Sequence, residues 1–162
     1  MTFRKITRNE ASSIAHIFRP IIEAEEFISL PRGTSDAEWT DFWFGDTTYE
    51  VWIAEEDGKV LGTFHLRPNQ KGLGSHVANG GYLVAPEARG RGIGRQMCEQ
   101  SIARARELGY RAIQFNFVIS TNTTAVNLWK DLGFRIIGTI PDGYHRKQQE
   151  YVDAHIMFRD LA

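Results

Sequence analysis

The chain is poor in cysteine. Cys98 stands alone among 162 residues, so no internal disulfide can form and nothing argues for an oxidising compartment. It lies in a helical pattern with no accompanying His-plus-carboxylate set, which reads as a small core residue rather than a nucleophile. An excess of one charge is missing as well. Lys and Arg total 19 against 20 Asp and Glu, a balance with no bulk pull on nucleic acid or an anionic membrane. The short basic run His145-Arg146-Lys147 reads as a solvated loop. No apolar run approaches the ~18 residues of a membrane span. Met1 to Glu10 is polar and has no signal-peptide core. These absences predict one cytoplasmic domain over residues 1–162 that uses neither nucleic acid nor membrane.

What the chain has in excess is glycine, 15 residues against roughly 11 at an average usage of about 7%. The surplus is concentrated. Gly72, Gly74, Gly80, Gly81, Gly90, Gly92 and Gly94 all fall within 23 residues.

Around that cluster the elements alternate. Thr2 to Ile6 reads as a strand. Thr7 and Glu10 have capping-box spacing, and Ile14, Ile17 and Phe18 follow at helical spacing. Pro20 interrupts this pattern, Glu23 to Leu30 reads as a second helical piece, and Ser35 or Asp36 caps a third with Trp39, Phe42 and Trp43 on one face. Tyr49–Ala54 and Val60–Arg67 are β-rich and joined at Asp57-Gly58, a hairpin signal. Val77–Val84 is a strand. Gly92–Leu108 is a helix with Ile93, Met97, Ile102, Ala105 and Leu108 inward. Arg111–Ile119 alternates, with Ile113, Phe115 and Phe117 on one face and Gln114, Asn116 and Val118 on the other. Thr123–Leu132 is a helix. Phe134–Ile140 and Glu150–Phe158 are the last strands, and Pro141–Gln149 is too long for a tight hairpin. The fold class is a mixed α/β domain.

The glycine loop carries the chemistry. In Val84-Ala85-Pro86-Glu87-Ala88-Arg89-Gly90-Arg91-Gly92-Ile93-Gly94, a strand passes into a helix. Alternate glycines let successive backbone N–H groups point into one concavity, and the helix adds partial positive charge at its start. Arg89 and Arg91 add full charges, and a pyrophosphate is the ligand that suits such a loop. Walker A, the dinucleotide fingerprint and the Gly-x-Ser-x-Gly elbow are all absent. The string that is present, Arg89-x-x-Gly92-x-Gly94 after Val84-x-Pro86, resembles motif A of the GNAT superfamily of N-acetyltransferases. About thirty residues on, Asn122-x-x-Ala125-x-x-Leu128-Trp129-x-x-Leu132-Gly133-Phe134 resembles a second family segment.

The resemblance implies a central mixed, mostly antiparallel sheet of about seven strands, splayed at an acetyl-CoA site and flanked by helices. Acetyl-CoA would be the co-substrate and a small-molecule amine its partner, with no metal. Backbone N–H groups from Arg89, Gly90, Arg91, Gly92, Ile93 and Gly94 would hold the pyrophosphate. Leu83 and Val84 would pair with the pantetheine arm, and Asn79-Gly80-Gly81 would supply a β-bulge. Asn122 would hold the CoA arm, or simply cap its helix. The family also implies a possible homodimer.

Trp129 stands where many members have a tyrosine acid; an inward core role suits it equally. Tyr144 is a candidate substitute acid. His65 and His76 are candidate bases or ordinary structural histidines. Asn79 and Asn116 are the polar residues expected to orient substrate, since a mid-strand amide among aromatics needs a partner. The strings around Arg67-Pro68-Asn69-Gln70, Asn79, Asn116 and Tyr151-Val152-Asp153-Ala154 are similar to the GNAT subgroup that acetylates L-azetidine-2-carboxylate and related proline analogues. Two other readings stay open: a catalytically silent acyl-CoA-binding regulatory module, and a protein or peptide N-acetyltransferase recognising through Glu23, Glu25 and Glu26.

Overall fold

The computed structural model describes residues 1–162. Its strands are β1 (Thr2–Ile6), β2 (Glu50–Glu56), β3 (Lys59–Pro68), β4 (Val77–Val84), β5 (Ala112–Ile119), β6 (Arg135–Arg146) and β7 (Glu150–Asp160). Its helices are α1 (Ala15–Ala24), α2 (Asp36–Phe44), α3 (Ile93–Glu107) and α4 (Thr123–Asp131). The strands form one sheet in the order β1-β2-β3-β4-β5-β7-β6. Every neighbouring pair is antiparallel except β4–β5. No helix is long and apolar enough to cross a membrane.

Period-two patterning divides the sheet into two faces. On β3, Thr63, His65 and Arg67 face α2, where Trp43 donates from Nε1 to Thr63 Oγ1 at 3.1 Å. Here Phe18 stacks on Trp39 at 4.4 Å and meets Trp43 edge-on at 5.1 Å. On the opposite face, Ile113, Phe115 and Met157 pack under α3 and α4 with Cys98, Ile102 and Trp129.

Several elements differ from their sequence reading. Helix α1 runs through Pro20 to Ala24, and Glu23–Leu30 is not a helix. Pro20 is exposed while Ile17, Phe18, Ile21 and Ile22 around it are buried. Core burial on both sides outweighs the ~3 kcal/mol a mid-helix proline costs. The chain then leaves through Glu25 in the left-handed region, φ 52°.

Phe42, Leu108 and Phe117 are each about 40% exposed rather than inward. Helix α2 buries Trp39 and Trp43, one turn apart, with Phe44. Leu108 lies past the end of α3, where Tyr110 N–H folds back to Ala105 O at 3.0 Å. In β5 the register shifts between Phe115 and Val118. That irregularity turns Phe117 out and Val118 in, breaking the alternation. Another shift, between Ile140 and Tyr144, absorbs Pro141–Gly143 into β6. The last connection is therefore a tight Lys147–Gln149 turn, not a long loop. The bulge expected at Asn79-Gly80-Gly81 is absent as a register shift, since β4 pairs with β3 residue for residue from Ala78 to Val84. The Asp57-Gly58 hairpin forms as read, with both residues at positive φ, 50° and 74°.

Candidate active site

Strands β4 and β5 pair only at Val77–Ala112 and Ala78–Ile113. Beyond Ala78 they separate, and the gap is the site. The β3–β4 ladder decides which groups line it. Bonds from Asn69 N–H to Val77 O (2.8 Å) and from Ala85 N–H to Leu61 O (2.9 Å) bracket the ladder. Antiparallel alternation then turns the backbone groups of Asn79, Gly81 and Leu83 toward β3, and those of Gly80, Tyr82 and Val84 toward the gap. This corrects the reading of Leu83, whose peptide groups belong to the ladder and whose side chain is buried in the core. Val84 presents a bare strand edge.

At the end of β4 the chain enters the glycine loop. Gly90 and Gly92 sit at φ 76° and 75°, a region that L-residues other than Asn and Asp seldom adopt. The first helical bond of α3 is from Gln96 N–H to Gly92 O, at 3.2 Å. The N–H groups of Gly90, Arg91, Gly92, Ile93, Gly94 and Arg95 donate to no turn or loop carbonyl. They form a row of unpartnered donors at a helix start, which fits a pyrophosphate. Ile93 is 1% exposed and anchors the helix. A Cβ at Gly94 would sit in ordinary contact with Leu128 Cδ2, at 3.5 Å, where the heads of α3 and α4 come together. Asn122 caps α4, accepting from Ala125 N–H at 3.3 Å. Its carboxamide nitrogen has no protein partner, so cap and ligand contact are compatible. The two arginines are partly engaged. Arg91 pairs with Glu56, and the Arg89 guanidinium lies 4.8 Å over the Phe27 ring.

On the α2 side of the gap the amides form one network. Asn79, 6% exposed, donates from Nδ2 to Gln114 O at 2.9 Å and so bridges the diverging strands. Gln114 Nε2 donates to Asn116 Oδ1 at 3.0 Å, and Asn116 Nδ2 donates to Asn69 Oδ1 at 2.7 Å. The structure thus brings Asn79 and Asn116 to one wall. Gln114 and Asn69 complete the wall, a role that residue type alone does not signal. A backbone acceptor such as Gln114 O leaves no mark in a sequence. Arg67 enters the sequence reading only within the string Arg67-Pro68-Asn69-Gln70, yet Thr63, His65 and Arg67 alternate with apolar residues along β3 and so mark a polar inward face.

His65 belongs to this wall, 4.5 Å from Trp43 and 5.7 Å from Tyr49 between ring centroids. Burial pushes its imidazole down to about 3, with the Arg67 charge adding to the effect. It is neutral at working pH and too weak to serve as an efficient base. Below the unfolded value near 6.5, unfolded chains bind a proton that the native state refuses. Stability should therefore fall by about 1.4 kcal/mol per pH unit from about 6.5 down toward 3. Urea denaturation across that range should show the slope, and His65→Gln should remove this component.

Tyr144 does not serve as expected. Its hydroxyl donates to Glu25 O (3.0 Å) and Ile28 O (3.4 Å), strapping the loop after α1. Burial, reinforced by Glu25 and Glu26, raises its pKa. Its proton is committed to those carbonyls. Trp129 packs 5.0 Å from Tyr82 and 5.1 Å from Phe115, as core. Cys98 is buried and pushed up to about 12, which makes it inert. His76 is exposed on the loop before β4.

A splayed β4–β5 pair beside an anion cradle at the head of a helix defines a class, and comparison with known proteins agrees. The acetyltransferase (GNAT) family model matches residues 15–134, and the chain belongs to that family. N-acetyltransferase aca1 of Schizosaccharomyces pombe is 33% identical over 157 residues, covering 94% of this chain and 67% of that protein. The chain spans only 13% and 33% of the next two curated relatives. A solved GCN5-related N-acetyltransferase from Kribbella flavida is 39% identical, with a TM-score of 0.90, 98% of this chain and 96% of that one covered. Salmonella typhimurium yncA, solved with acetyl-CoA, shares the fold at a TM-score of 0.85 and 22% identity, covering 100% of this chain and 94% of that one.

Proposed function

We propose that this acetyltransferase moves an acetyl group from acetyl-CoA to the amine of an amino acid or cyclic imino acid. The observation that carries the reading is the row of unpartnered N–H groups from Gly90 to Arg95 opening beside the bare Val84 edge. Acetyl-CoA, which yncA binds in its own structure, would supply the activated acetyl thioester. Gly90–Gly94 and Arg89 would hold its pyrophosphate, Val84 its pantetheine amide, and Asn122 its arm.

The amide wall handles the acceptor. An alkyl ammonium titrates near 10, so presenting a neutral amine at pH 7 costs roughly 4 kcal/mol. A half-buried wall of amides with no carboxylate disfavours the ammonium, and amide oxygens accept from the amine without a negative charge that would hold its proton. Asn79 and Asn116 orient the nitrogen toward the gap. Cyclic imino acids such as L-azetidine-2-carboxylate suit this amide wall, and the sequence resemblance favours them.

Thiol release is the test, with protein, acetyl-CoA and a panel of amino acids, imino acids and simple amines. At least one amino or imino acid should accelerate it. Asn116→Ala should lower kcat/KM by about 100-fold through lost positioning and leave acetyl-CoA affinity unchanged. Tight CoA binding with no acceleration by any amine would favour the regulatory-module reading, in which Trp129 at the acid position reflects lost chemistry.

A further inference from the structure

Two buried side-chain atoms lack a hydrogen-bond partner in this fold, His65 Nδ1 and Arg67 Nε. They are two residues apart on β3 and share the face that carries the amide wall. Most arginines of the chain pair with a carboxylate; Arg67, like Arg89, Arg106, Arg111 and Arg159, pairs with none. Its guanidinium is instead seated 5.0 Å over the Tyr49 ring, which fixes its orientation. A buried donor without an acceptor costs about 1–3 kcal/mol. Arg67 Nε is always a donor, and His65 Nδ1 is one in the tautomer that carries its proton there, so the pair marks where acceptor oxygens belong.

We propose that Arg67 and His65 form a carboxylate-binding subsite, so that the acetylated amine belongs to a molecule that also carries a carboxylate. The guanidinium is a planar fork that matches a carboxylate in bidentate geometry. Protonated at Nδ1, the neutral imidazole adds one N–H donor without a second charge. Arg67 lies directly across the ladder from Asn79. Cross-strand neighbours hold their Cβ atoms ~4.5–5.5 Å apart. The amine and carboxylate of an α-amino or α-imino acid flank a single carbon, so one small molecule reaches both groups. A role for Arg67 toward the CoA phosphates does not fit. The cradle follows Val84, five residues along β4 from Asn79 and so ~17 Å away.

This subsite rests on the acetyltransferase reading for its meaning, and its test separates the two. Azetidine-2-carboxylate, proline, alanine and methionine, each paired with its carboxamide, are titrated calorimetrically into the protein with and without CoA. At least one acid should bind about 10- to 100-fold more tightly than its carboxamide. Arg67→Gln should abolish that difference while carboxamide binding and CoA affinity stay unchanged. Arg67→Lys, which keeps the charge and loses the fork, should retain part of it. No acid–carboxamide difference in the unaltered protein, or a difference that survives Arg67→Gln, overturns the subsite. Acid-selective binding that depends on Arg67, with no thiol release from acetyl-CoA, would uphold the subsite and sink the catalytic reading instead.

Discussion

Gly92→Val is expected to weaken acetyl-CoA binding by about 100-fold or more, with the protein still folded. The cause is conformational. Gly92 holds φ 75° with nothing within 4 Å of an added Cβ, so no clash is created. A β-branched residue resists this left-handed backbone, at about 1–2 kcal/mol or more. Relaxing toward negative φ would swing the neighbouring N–H groups out of their common concavity. Charge-assisted bonds to an anion contribute about 1.5–3 kcal/mol each, and losing two accounts for the expected factor. Gly109→Val is the matched control. Gly109 sits at φ 81° beyond the other end of α3, also with open space around it. Both variants should lose similar stability in urea, and only Gly92→Val should lose CoA affinity by calorimetry. Equal affinities in the two variants would remove the glycine loop from the binding site.

Trp43→Ala should produce the largest loss of stability, about 3–5 kcal/mol. Trp43 is 2% exposed, meets Phe18 edge-on, seats the His65 ring and donates to Thr63 Oγ1. For a chain of this size that corresponds to a fall in Tm of roughly 6–20 °C, readable by calorimetry. Trp43→Phe should cost about 1 kcal/mol, because a ring remains and Thr63 Oγ1 still donates to Trp52 O at 2.9 Å. The same truncation loosens the floor under His65 and Arg67. Trp43→Ala measured well below its melting range should therefore raise the KM for the amine more than that for acetyl-CoA. A stability loss no larger than that of Trp43→Phe would show that α2 does not brace the sheet here.

Much of the cofactor side was legible because local rules govern it. The glycine loop, its strand and its helix are contiguous in the chain, so spacing alone identifies them. The capping box at Ser35 and Glu38 and the positive-φ hairpin at Asp57-Gly58 follow from the same short-range chemistry. The errors arose where distant segments decide. Pro20 stays in α1 because residues far along the chain bury the helix around it. Phe117 faces out because β7 pairs across a register shift that β5 does not announce. Tyr144 has the residue type of an acid, but its partners are carbonyls 116 or more positions away.

The sequence by itself determined the family resemblance and the anion-binding loop, since both depend on residue order within short contiguous segments. Only the tertiary structure decided which backbone edge is bare, which amides meet across the gap, and that Arg67 Nε and His65 Nδ1 are buried without a hydrogen-bond partner. Those properties depend on what other segments supply to a given atom. Hydrogen-bond satisfaction and burial are sums over the whole folded chain, and no local stretch carries them.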